Sequence, residues 1–195
     1  QSVRKIIECC IKYNINTLTL YAFSTENWKR PLKEVEGLLK LFSESISKES
    51  KKIHSNNIKL KFIGDTSIFT EALQAKIKDI EKETSRNKRL TLNVALNYGG
   101  RLDIVNSVNS FYQNKKNIKK ITEKNINSGL YTKGQSDVDL LIRTGGQQRM
   151  SNFLLWQSAY AELYFSKKLW PDFDEELFVD ALYFFQNTER KFGSI

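Results

Sequence analysis

Four apolar runs, NTLTLYAF (16–23), IKLKFIG (58–64), RLTLNVAL (89–96) and VDLLI (138–142), are separated along this chain by stretches whose apolar residues recur at helical spacing. No other feature restricts the fold as much. Strands alternating with helices need crossover connections, and these build an α/β fold: a mostly parallel central sheet flanked by helices. The first helical stretch places Val3, Ile6, Ile7, Cys10 and Ile11 on one face. A second, opened by Pro31, continues through Val35, Leu38, Leu39, Phe42 and Ile46. Further helices are expected after the second strand to about residue 84, from GGRLDIVNSV, near TEKNINSGL and over DEELFVDALYFFQNTER. SNFLLWQ (151–157) reads as another short helix with Ser151 at its N-cap, and AELYFS as a last strand. With two prolines and no low-complexity linker, a single domain over 1–195 is expected.

Composition narrows the classes of partner. There are 31 Lys and Arg against 22 Asp and Glu, a net charge of +9. That excess suits nucleic acid, an anionic membrane surface or a phosphorylated substrate. Much of it is lysine in KKNIKK (115–120) and KDIEKE (78–83), which read as solvated faces. No arginine-rich tail or zinc-finger spacing is present, so no nucleic-acid partner is expected. Cys9 and Cys10 make neither a disulfide framework nor a zinc cluster, and Cys10 belongs to an apolar face. The apolar runs are too short to span a bilayer, and QSVRKIIECC does not resemble a signal peptide, so a cytoplasmic location is expected.

In parallel sheets, ligands bind beyond the carboxyl ends of the strands. Here the first strand runs into STENWKR, the third into NYGGR and the fourth into RTGGQQRMS. Each of these ends joins Arg to Gly, Ser or Asn. Glycine lets a backbone approach an anion closely, and a following helix aims free N–H groups at it. Arg143, Arg149 and Ser151 would add charge and forked donors suited to phosphate oxygens. One Gly-Gly pair alone is equally well explained by a turn, and a structural ion pair is the other use for Arg143. Trp28 fits packing as well as recognition. His54 is the only histidine, in polar surroundings, so a histidine-based triad or metal cluster is not expected. Glu162, set among aromatic and small residues in SAYAELYF, must be paired or hold a cation. A single carboxylate with diphosphate oxygens and waters suits Mg²⁺.

FSTENWKRP, LNYGGRLDIV and above all RTGGQQRMSNFLLWQSAYAELYFSKKLWPDFDEE resemble the cis-prenyltransferases, over essentially all 195 residues. The resemblance implies cis-condensation of isopentenyl diphosphate onto an allylic primer, farnesyl diphosphate. The product would be a long-chain polyprenyl diphosphate, a carrier for cell-wall glycan synthesis. It also implies Mg²⁺, a homodimer, a hydrophobic tunnel for the growing chain and peripheral contact with a membrane face for product release. Carried onto this sequence, substrate contacts fall on Ser24, Thr25, Glu26, Trp28, Arg30, Arg143, Arg149, Met150 and Ser151. The Mg²⁺ carboxylate falls on Glu162, and the asparagine often called the proton acceptor is Asn27. A neutral amide is a very weak base, so orienting the substrate is the easier role for it. Leu18, Leu20, Ala22, Leu90, Leu92 and Val94, with the two long apolar helix faces, are candidates for the tunnel wall; Ala22 and Leu90 are the two singled out.

Three departures from the family pattern carry expectations. The family's N-terminal strand and aspartate phosphate loop have no counterpart in these 195 residues, so two strand edges should be exposed and this chain alone should catalyse little. Gln147 stands where a Glu is usual, which removes a negative charge. Lys191 stands where many members have Arg, which keeps charge but loses the fork. A non-catalytic subunit supporting an active partner is the alternative reading. The retained Asn27-Trp28, RTGG segment and Glu162 speak against it.

Overall fold

The computed structural model describes residues 2–114 and 120–190. Lys191 and most of KKNIKK therefore lie outside the described residues. The elements are α1 (Ser2–Lys12), β1 (Thr17–Ser24), α2 (Leu32–Ser55), β2 (Ile58–Ile63), α3 (Glu71–Thr84), β3 (Leu90–Tyr98), α4 (Gly100–Asn114), α5 (Glu123–Gly129), β4 (Leu140–Arg143), β5 (Glu162–Phe165) and α6 (Glu175–Asn187). A 3-10 turn, Thr25–Lys29, joins β1 to α2.

Each element follows from its local sequence. α1 buries Ile6, Cys9 and Cys10, and burial pushes the Cys10 thiol up to about 12, so it packs rather than reacts. α2 continues past Ile46 for 24 residues in all, roughly 36 Å. His54 consequently sits in its last turn rather than in a loop. Asp174 and Thr122 cap α6 and α5 through their side chains.

All five strands pair in parallel, but in two sheets. One has the order β1-β3-β2, with Leu20 opposite Val94 and Leu60 opposite Leu92. The other is β4-β5, running from Leu140 opposite Glu162 to Arg143 opposite Phe165. On the far side, α3 closes the edge of β2. There Leu60 N donates to Thr84 Oγ1 (3.1 Å) and Phe62 N donates to Glu81 Oε1 (2.7 Å). β1 and β4 meet no strand at their facing edges among the described residues. Instead the unbroken runs Thr19–Phe23 and Leu141–Thr144 line one cavity. Neighbouring residues of a strand point to opposite faces, so both can line a space only where it wraps around the strand's edge.

The expected helix at SNFLLWQ is absent. Ser151, Asn152 and Leu154 have φ of 49°, 62° and 43°, and a right-handed helix cannot pass through left-handed residues. The segment instead forms a run of turns against β3 and α4, with Phe153 stacked on Tyr21 at 4.4 Å.

Beneath these turns lies a polar network. Asp103, 1% exposed, accepts from Tyr98 Oη (2.9 Å), Gln157 Nε2 (3.1 Å) and Tyr131 N (3.1 Å). Burial pushes its carboxyl above the ordinary range, although the three donors act the other way. Asp103→Ala would leave Tyr98 Oη and Tyr131 N without this acceptor and Gln157 Nε2 with Thr132 Oγ1 alone (2.9 Å). We expect a loss of about 3 kcal/mol, read as a fall in Tm of roughly 6–12 °C. A fall under about 2 °C would show that the network is dispensable.

Candidate active site at the strand ends

The β1 end turns sharply because Ser24 N donates to Asn27 Oδ1 at 2.8 Å. That bond engages the amide oxygen of Asn27 and leaves Nδ2 as the atom through which it can meet a ligand. Glu26 accepts from Asn152 Nδ2 (2.8 Å) and from Thr25 Oγ1 (3.2 Å). Burial pushes the Glu26 carboxyl up, but hydrogen bonds from Asn152, its own backbone, Ser24 and Thr25 outweigh this and hold it below its ordinary value. It is a fixed anion at neutral pH.

The β4 end presents cations. The half-buried Arg143 donates through Nη1 to Ser151 Oγ (2.6 Å) and to the Arg149 carbonyl. Arg149 donates to Gln147 Oε1. Burial holds the Arg143 guanidinium below its ordinary value, and repulsion from Arg149 adds to the effect. Gln147 caps Arg149 without neutralising it. An anion placed between the two arginines would relieve their repulsion.

Backbone donors contribute less than the sequence suggests. Gly145 and Gly146 sit at φ 86° and 76°, where other residues are strained, but their N–H groups donate to Lys168 O (2.7 Å) and Ser166 O (2.9 Å). At the start of α4, Gly100 N and Arg101 N donate to Asn152. The NYGGR end is therefore occupied by protein, which corrects the expectation of an anion site there. Anion binding falls to side chains.

Two cavities meet at this rim. The larger, about 750 Å³, has Arg143, Thr144, Met150 and Ser151 at its mouth. Below them its wall is Leu20, Ala22, Leu92 and Val94 from the strands, Leu38, Leu39, Phe42 and Ile46 from α2, and Val3 and Ile7 from α1. Ala22 is thus on the wall, as expected. Leu90, 1% exposed, is core instead, and Leu18 packs against the core without reaching the cavity. The smaller cavity, about 490 Å³, is lined by Tyr21, Ser24, Glu26, Asn27, Ser151 and Asn152. Tyr21 and Ser151 belong to both.

Other expected residues stand apart. Thr25 acts through Glu26. Trp28 donates to Asn97 Oδ1 (2.8 Å) and packs edge-on against Phe23, so it is part of the wall behind the turn. Arg30 points to solvent in an ion pair with Glu34 (2.6 Å) at the start of α2. Glu162 opens β5 opposite Leu140, whereas Arg143 ends β4, so the two lie at opposite ends of the same strand pair. Glu162 stands 3.8 Å from Arg190 Nε and lines neither rim cavity. Among the described residues, no group of three or more His, Cys, Asp or Glu could hold a metal ion. Glu162 thus faces a guanidinium, and a lone carboxylate would need diphosphate oxygens and waters to complete a Mg²⁺ shell.

The sequence model described as "Putative undecaprenyl diphosphate synthase" matches residues 1–193. The chain belongs to this cis-prenyltransferase family. Among its relatives, the ditrans,polycis-undecaprenyl-diphosphate synthase ((2E,6E)-farnesyl-diphosphate specific) of Pasteurella multocida (strain Pm70) is 50% identical over 197 residues, 99% of this chain and 82% of that protein. The enzyme of the same description from Yersinia pseudotuberculosis is 48% identical over 99% of this chain and 78% of its own length. Solved cis-prenyltransferase structures share the fold. The crystal structure of a probable undecaprenyl diphosphate synthase from Campylobacter jejuni has a TM-score of 0.91 at 37% identity, covering 99% of this chain and 90% of that one. Lavandulyl diphosphate synthase from Lavandula x intermedia, in complex with dimethylallyl diphosphate, has a TM-score of 0.93 at 33% identity, covering 99% and 85%.

The rim also contains residues that sequence reasoning passes over. Tyr21 stands on both cavities and Asn152 on the smaller one. The signal for Asn152 is its type: asparagine tolerates a left-handed backbone better than most residues, and it lies shortly after the Gly-Gly turn.

Proposed function

We propose that this cis-prenyltransferase condenses isopentenyl diphosphate onto farnesyl diphosphate to give undecaprenyl diphosphate, with its chemistry at the shared rim of the two cavities. The observation that carries the proposal is the Arg143 guanidinium, set with Ser151 at the mouth of an apolar cavity and near enough to Arg149 for the two charges to repel. A diphosphate head needs the first and a polyprenyl tail needs the second. In the reaction, the allylic carbon–oxygen bond breaks, the diphosphate leaves, and the alkene of isopentenyl diphosphate forms the new carbon–carbon bond and then loses a proton. Arg143 and Arg149 hold the diphosphate that isopentenyl diphosphate keeps, so its alkene is fixed against the allylic carbon as that bond breaks.

Asn27 orients substrate through Nδ2, since its oxygen already accepts from Ser24 N. Water or diphosphate takes the proton. Mg²⁺ enters this reading as the family's ion, which neutralises diphosphate charge when bound. Exposed Tyr160, Leu163, Tyr183 and Phe184 support a homodimer. Release of product to a membrane face would be peripheral: among the described residues, no helix is long and apolar enough to cross a membrane.

Incorporation of labelled isopentenyl diphosphate with farnesyl diphosphate tests the reading. Arg149→Ala should raise the KM for isopentenyl diphosphate about tenfold, since an exposed guanidinium contributes mainly uniform binding. An unchanged KM would remove Arg149 from the site.

A further inference from the structure

Asn152 bonds to two separate parts of the rim. Its backbone oxygen accepts from Gly100 N at 2.7 Å, and its Oδ1 accepts from Arg101 N at 2.9 Å. It therefore caps α4 from a distant segment of the chain. Its Nδ2 donates to Glu26 Oε1 at 2.8 Å. The glycines of NYGGR make this approach possible. A Cβ on Gly99 would come within 2.8 Å of Asn152 Nδ2, and one on Gly100 within 3.1 Å of Asn152 O. The same residue follows Ser151, which holds Arg143. The ends of β1 and β3 thus meet on Asn152, and the end of β4 reaches the adjacent Ser151, although β1 and β4 belong to different sheets.

We infer that Asn152 is a positioning residue, one that fixes the separation between Glu26 and Asn27 on the β1 rim and Ser151 and Arg143 on the β4 rim. The inference rests on the site reading above. β3 supplies the reference frame through α4: its first two N–H groups hold Asn152 by two oxygens, so the free end of the amide can point only one way. Glu26 is then held by Asn152 and Thr25 together. Asn152 needs no contact with substrate for this role.

Asn152→Asp separates positioning from folding. The variant keeps Oδ1 for Arg101 N and adds a charge that the N-terminus of α4 favours, which offsets the repulsion from Glu26, so Tm should change by only a few degrees. It loses the donor to Glu26 and sets two carboxylates against each other, which drives the rims apart. Expected is a fall in kcat/KM for isopentenyl diphosphate of about 30-fold. The deficit should narrow as the pH falls, when the facing carboxylates come to share a proton.

Combining Glu26→Gln with Asn152→Asp inverts the hydrogen bond, because the amide introduced at position 26 donates to the carboxylate introduced at position 152. The double variant should bind isopentenyl diphosphate within about threefold of Glu26→Gln alone, measured as a dissociation constant so that the comparison holds even if Glu26→Gln turns over slowly. N152D with wild-type kinetics would overturn the inference. So would a pH-independent deficit that E26Q fails to relieve. Arg149→Ala is measured in parallel. If it leaves KM unchanged, the site reading itself fails. If it raises KM while N152D changes nothing, only the role of Asn152 falls.

Discussion

Arg143→Ala should lower kcat/KM for isopentenyl diphosphate about 100- to 1,000-fold, the largest effect expected of any single replacement at the rim. The guanidinium does two things that alanine cannot. It places a cation at the cavity mouth, and it fastens Ser151 and the Arg149 carbonyl to the end of β4. The Arg149 guanidinium, exposed and donating to the neutral Gln147, does the first without the second, which is why its loss should cost less. Arg143→Lys keeps the charge but not the fork, and should fall between wild type and alanine. Steady-state kinetics with circular dichroism of each variant decide the matter. A loss below about fivefold with a native spectrum would make Arg143 a structural fastener of the 149–151 loop, the other use its position allows.

Ala22→Leu should shorten the product by several five-carbon units. Ala22 borders the larger cavity below the Arg143 mouth, and a leucine there would occupy space a polyprenyl tail has to cross. Overpacking costs about 1–3 kcal/mol, which offsets much of the roughly 3–4 kcal/mol one further unit contributes by burial, so elongation should slow and product leave early where the tail first meets the obstruction. Leu90→Ala is the control. It lies in the core away from the cavity, so it should lower Tm through a loss of about 2–5 kcal/mol without changing product length. Chromatography of the products gives the answer. Undiminished chain length from an active Ala22→Leu enzyme would take Ala22 off the tail's route.

How far the sequence reveals this arrangement differs from element to element. Strands and long helices are legible because their periodicity is a property of the residues themselves: the alternation of NTLTLYAF and the stripe of α2 survive any tertiary context. SNFLLWQ misleads because its apolar residues fit a helix, while the left-handed backbone at Ser151, Asn152 and Leu154 is imposed by contacts with α4 and Glu26. Arg143, Met150 and Ser151 stand out because charge, chain order and strand end coincide in one motif. The distance of Glu162 from the rim is not legible because a sequence gives its neighbours but not its end of the strand. Opposite Leu140 rather than Arg143, it stands about three residues, roughly 10 Å, from the rim. NYGGR reads as a place for a ligand; its glycines instead make room for an asparagine from a distant part of the chain.

The long apolar wall beneath the rim also bears on processivity. In the proposed reaction each condensation would add a unit at a head held by Arg143 and push five more carbons into the cavity. Each unit so buried contributes about 3–4 kcal/mol, a tightening of roughly 10²- to 10³-fold per cycle while wall remains to be covered. Intermediates therefore become harder to lose the longer they grow. Retention needs no lid, since the growing chain supplies its own tether. The same gradient makes the finished chain the most reluctant to depart, so turnover over many products requires an acceptor phase as apolar as the wall it leaves.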